Sequence, residues 1–150
     1  MTRSAYTARE TAISFVINAV LSAAFCWLVF GGHAEVPSWS AGGLVVDYLP
    51  QGFMIGLMGA LVPGLLARKA RSAGRIDGVA PTPPPVGAVV RRALWTAVAC
   101  ALSATAIAAL LLRVGAVEQM SFATAFVVKV ASGIVLALVA TPPAIRAALA

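Results

Sequence analysis

The chain has 150 residues, of which 61% are hydrophobic and 11% charged, against about 45–50% apolar and about 25% charged in soluble domains. A water-soluble fold of this size has no interior large enough to hide so much apolar surface, so the composition excludes a soluble domain and points to a membrane. The net charge of +6 does not argue for a nucleic-acid partner, because the basic residues cluster between apolar runs instead of forming one continuous face.

Four apolar stretches, Thr11–Gly32, Pro50–Ala67, Ala93–Leu112 and Phe122–Ala140, each approach the ~20 residues that cross a hydrocarbon core of about 30 Å. Without water to satisfy the backbone, each must be a helix. The expected fold is therefore an all-α membrane protein, residues 1–150 forming one domain of four transmembrane helices in an up-down-up-down bundle.

The first span follows Arg3 and Arg9 and carries Ser14, Asn18, Ser22 and Cys26 at spacings of four. Polar groups facing lipid are costly, so this stripe should point inward and bond across helices. The basic start and the "GGHAEV" that follows resemble a signal peptide cleaved after Ala34. The apolar run is longer than the 7–15 residues of such a segment, so retention as an anchor is expected.

The first connection holds His33, the one histidine, with Glu35 and Asp47. One imidazole with two scattered carboxylates is a poor metal site, and an exposed loop is expected. Trp39 and "GGLVV" should lie against the membrane surface, and Asp47 should cap span two with Pro50 in its first turn. In span two, Gly52, Gly56, Ala60 and Gly64 recur every fourth residue. They form a small-residue groove suited to close helix packing, either within the bundle or between copies.

Between spans two and three, residues 68–92 carry Arg68, Lys69, Arg71, Arg75, Arg91 and Arg92. The connections on either side of this hairpin are poor in basic residues. By the positive-inside rule this loop and both termini are expected to be cytoplasmic. Its "PTPPP" should form an extended polyproline spacer. Span three places Thr96, Cys100 and Ser103 on one strip. The short third connection, "RVGAVEQM", predicts that spans three and four are antiparallel neighbours.

Span four contains Lys129 inside "FVVKVASGIV". Counted from Glu118 and Thr141, it lies about 16 Å from either end, where a lysine costs about 2.5–3.5 kcal/mol to insert. Ala125, Ser132, Gly133 and Ala140 give it a small-residue face, so it should face protein. Ser22, Ser103 and Gly59 or Ala60 are expected at its depth. All five acidic residues read as lying near span ends or in loops. The lysine is thus expected to lack a counter-ion in its own chain. Hydroxyls and carbonyls, loss of its proton, or an anion, lipid phosphate or second subunit would accommodate it.

The halves are faintly alike: "AVLSAAFC" matches "CALSATAI", and "LVPGLLAR" matches "ATPPAIRA". A duplicated two-span hairpin would produce this, with parallel repeats. Functionally, the leading expectation is a small permease or channel-like protein of a bacterial inner membrane, with Lys129, Ser22, Ser103 and Asn18 lining a polar interior that takes a solute, small anion or anionic lipid. The alternative is an accessory or structural subunit docked through the glycine stripe, as a homo-oligomer or in a larger complex. A membrane-embedded enzyme ranks third, since no nucleophile–base pair is visible. No cofactor is implied, because a transmembrane histidine for haem and a CxxC pair for thiol chemistry are both lacking.

Overall fold

A computed structural model describes residues 1–77, 79–80 and 82–150. Four long helices, α1 (Arg3–Phe30), α2 (Leu44–Ser72), α3 (Val86–Val114) and α4 (Phe122–Leu149), are joined by connections that contribute two short strands, β1 (Glu35–Pro37) and β2 (Gln119–Ser121). Each helix is long and apolar enough to cross a membrane. All four extend past their apolar cores. Thr2 caps α1 through its hydroxyl, which accepts from the Ala5 amide at 3.3 Å, and Ser121 caps α4 through the Thr124 amide at 3.3 Å. The α2 helix stops where Gly74 adopts φ +65°, the left-handed step that glycine takes without a Cβ penalty. At the other end of the chain, α4 runs through Pro142 and Pro143, each of which removes one backbone donor without ending the helix.

Small residues decide which helices meet. The α2 stripe of Gly52, Gly56, Ala60 and Gly64 is buried and receives α3. A Cβ on Gly56 would fall 2.8 Å from the Ala97 Cα, and one on Gly52 would fall 2.8 Å from the Cys100 carbonyl oxygen. Val89 closes against Gly64. The stripe is therefore a contact inside the chain. On α4, the buried row Ala125, Lys129, Gly133, Ala137 and Thr141 receives α1, whose buried residues are Tyr6, Glu10, Ser14, Asn18, Ser22, Cys26 and Phe30. Ser14 meets Thr141, Ser22 seats on Gly133, and Phe30 packs with Ala125. The backs of α2 and α4 also touch, Gly59 lying against Thr141 and Ala140. The bundle thus reads α1–α4–α2–α3 across its width, with α1 and α2 barely in contact and α3 and α4 little more. This corrects the expectation that spans three and four pack as neighbours: the glycine stripe draws α3 onto α2 despite the short connection to α4.

The two ends of the bundle are fastened differently. At one end β1 and β2 form an antiparallel ribbon with Val36 opposite Met120. The Ser38 amide donates to the Glu118 carbonyl at 2.9 Å, and the Phe122 amide donates to that of Ala34 at 3.1 Å. Val36 is buried against Cys26, Phe30 and Leu44. At the other end the terminal amine of Met1 pairs with Asp77 at 2.9 Å. Arg71 there donates from Nε to the Ala80 carbonyl at 2.8 Å and from Nη1 to that of Ala148 at 3.2 Å. The expected polyproline run begins at Pro81, which lies outside the described residues; Pro84, its described neighbour, accepts from the Arg68 Nε at 2.8 Å.

Candidate functional site

Lys129 sits seven residues into α4, so a rise of about 1.5 Å per residue puts it some 10 Å from the ribbon end and far from the other. The distances from Glu118 and Thr141 come out even only because Glu118 precedes the ribbon strand and α4 runs on past Thr141 through both prolines. Helical side chains lean toward their own N-terminus, which carries the ammonium nearer still to the ribbon end. There it meets Asp47. The Lys129 Nζ and the Asp47 Oδ2 form an ion pair, with the lysine side chain 1% and the aspartate 22% exposed. This overturns two expectations. The lysine has a counter-ion within its own chain, and Asp47 does not cap α2. Gly43 holds the N-cap position, so Asp47 falls inside the first turn, where the positive end of the helix dipole favours its charge.

Aromatic faces complete the lysine's surroundings. Its Nζ lies 4.9 Å from the Tyr48 ring centroid and 5.7 Å from that of Phe30. Both are within the range of cation–π attraction. Tyr48 is fixed by a 2.9 Å hydrogen bond between its hydroxyl and that of Ser132. Gln51, one turn beyond Asp47, donates from Nε2 to the Ser22 Oγ at 3.4 Å and to the Lys129 carbonyl at 3.3 Å. Its Oε1 is buried and has no hydrogen-bond partner among the described residues.

From this cluster a polar seam runs along α1 toward the opposite end. Ser22 comes first, then Asn18, whose Nδ2 donates to the Ser14 carbonyl at 2.8 Å and lies 3.2 Å from the Ser14 Oγ. Ser14 in turn shares a 2.8 Å hydrogen bond with Thr141, and Glu10 lies buried one turn further on. Ser22, Asn18 and Lys129 are therefore brought to one buried line. Ser103 is not. It is exposed and its hydroxyl turns back to the Cys100 carbonyl at 3.3 Å, as that of Thr96 does to Arg92 at 3.0 Å. Because α3 buries a face of alanines with Val89 and Cys100, it adds no hydroxyl to the seam.

The seam is reachable from one side. Where α1 and α2 stand apart, a groove of about 300 Å³ opens between them, lined by Asn18, Ser22, Phe25, Asp47, Gln51 and Met54. The carboxylate faces this opening while the lysine is sealed behind it. Asp47, Gln51 and Tyr48 are the residues that the sequence reading missed. The signal was present: "LVVDYLP" places an acid between apolar residues, as "FVVKVAS" places a base. His33 is exposed. Comparison with protein-family models, characterised proteins and solved structures yields no match for this chain.

Proposed function

We propose that this chain is a small multi-pass permease whose working element is the Lys129–Asp47 pair at the head of the α1 seam. The observation that carries the reading is the union of a buried ion pair, a row of hydroxyl and amide groups leading from it across the bundle, and a lateral groove that reaches only its acidic member. Ionisable groups inside a membrane mark solute and proton routes. A proton or cationic solute entering by the groove would take Asp47 and release Lys129 toward Gln51 and Ser22. In this reading the helices insert up-down-up-down in a bacterial inner membrane, with both termini and the basic connection cytoplasmic. Protomers associating through their lipid-facing sides would make a homo-oligomer. The accessory-subunit alternative loses its docking face, since α3 already covers the glycine stripe.

The test uses purified protein in vesicles loaded with a pH-sensitive dye, under an imposed pH gradient and membrane potential. Parent vesicles should move protons faster than empty ones. The paired variant Lys129→Met/Asp47→Leu removes both charges, a change that is often neutral or stabilising for a buried pair. It should fold and carry no flux. Equal flux in parent and empty vesicles, or full flux through the folded double variant, would overturn the reading.

A further inference from the structure

The connection that ends α2 and begins α3 holds two kinds of arginine. Arg68 and Arg71 are used by the fold, donating to backbone carbonyls of Pro84, Ala80 and Ala148. Arg91 and Arg92 are exposed on the first turns of α3, and among the described residues neither side chain has an acidic partner. Beside them α3 and α4 part company. Both helices lean on α2 at Ala60, and between them lies a cavity of about 340 Å³ bordered by Arg91, Arg92, Trp95, Ala88 and Ala147, with Ala60 and Ala144 behind. The opening exists because alanines stand where larger residues would have filled it. A pocket of this size is at the lower end of small-ligand sites.

We infer that this cleft is a built site for one anionic phospholipid, its phosphate held by Arg91 and Arg92 and its proximal chain seated along the alanine wall. Three features converge. Two guanidiniums without acidic partners among the described residues border the same opening, a donor set suited to a phosphate. Trp95, largely exposed at the same level, is the residue type that sits at the headgroup boundary. The apolar slot continues from the charged mouth into the bundle, which suits an amphiphile and does not suit a free ion. Basic pockets between transmembrane helices recognise acidic lipid headgroups by this chemistry. The inference rests on the membrane reading but not on transport: lipid retention can hold where flux fails, and the reverse.

The experiment measures thermal unfolding and native mass of the detergent-purified full chain with phosphatidylglycerol, phosphatidylcholine or inorganic phosphate. Phosphatidylglycerol should raise the Tm and remain bound as one copy; the other two should not. Arg91→Gln/Arg92→Gln should weaken retention about tenfold or more, while Arg75→Gln leaves it unchanged. Ala147→Leu fills the slot and spares both arginines, so it should also lose the lipid. Ala88→Leu on the facing wall serves the same purpose if the first variant unfolds. Three results would overturn the site: inorganic phosphate matching the lipid, phosphatidylcholine matching phosphatidylglycerol, or a slot-filled variant retaining the full lipid effect.

Discussion

At the scale of single residues, the Lys129–Asp47 pair is unequal in its exposure, and that inequality is measurable. Asp47→Leu leaves an ammonium sealed at 1% exposure with no carboxylate beside it, and the groups left to it are neutral: the Tyr48 and Phe30 faces and the Gln51 and Ser22 side chains. Breaking a buried pair in this way costs about 3–5 kcal/mol. Lys129→Met leaves instead a carboxylate that is 22% exposed on the groove and lies in the first turn of α2. Its loss should be nearer the ~1–3 kcal/mol of an unsatisfied polar group. Thermal unfolding of the two single variants should therefore rank Asp47→Leu as the worse. The opposite order would mean that Lys129 has another outlet. The lysine itself was legible in sequence, because one charge in an apolar run cannot be overlooked. Asp47 was visible in the same way, but its pairing with Lys129 was not, because span lengths alone do not fix the stagger between α2 and α4. The ribbon, which sets how α2 and α4 are staggered, consists of two three-residue strands with no periodic signature.

At the scale of the helix, a single spacing recurs. The α1 helix buries residues 6, 10, 14, 18, 22, 26 and 30, and α2 buries 44, 48, 52, 56, 60 and 64. Four residues turn about 400°, so a stripe with this spacing slews by about 40° at each step. Two helices can keep such stripes together only by wrapping in the right-handed sense, the sense that small residues every fourth position favour in membranes. The stripes were legible because glycine, alanine and serine at that interval stand out among leucines and valines. Which stripe meets which was not, since several small-residue faces are interchangeable on paper. Gly56 and Gly59 separate the contact from the mere presence of glycine. A Cβ at Gly56 would press on the α3 backbone, whereas one at Gly59 would reach only ordinary contact, 3.4 Å from the Thr141 Oγ1. Gly56→Ala should destabilise by about 1–3 kcal/mol, the usual cost of overpacking. Gly59→Ala should be neutral or gain up to ~1 kcal/mol from reduced chain freedom. Equal melting points for the two would remove the α2–α3 contact from the account.

At the scale of the whole molecule, the two ends differ in charge and in fastening. The basic residues between 68 and 92 gather with Met1, Asp77 and the end of α4 at one pole, and the ribbon closes the other. If the basic pole is cytoplasmic, reporters fused after Arg75 and at the C-terminus should read inside, and one inserted near Ser38 should read outside. An outside signal at Arg75 would invert the arrangement. The helix order also bears on ancestry. The first helix of each half packs on the second helix of the other, α1 on α4 and α3 on α2. Two copies of an ancestral hairpin exchanging partners would leave this pattern, in keeping with the faint likeness between the halves.

The pairing of α1 with α4 and of α3 with α2 sets a schedule for biosynthesis. Of the four helices, α1 leaves the ribosome earliest and is matched to α4, which leaves it latest. Until α4 is made, Glu10, Ser14, Asn18 and Ser22 have no helix against which to hide, and α4 needs α2 already in place to hold its lysine. At roughly 5–20 residues per second, the ninety or so residues between α1 and α4 take on the order of 5–20 s to translate. If the helices insert into a membrane, α1 is for that interval too polar on one side to be at ease in lipid, so it should linger beside the insertion machinery while α2 and α3 pair without it. The arrival of α4 then closes the bundle, pairs its lysine with Asp47 and releases α1 in one step.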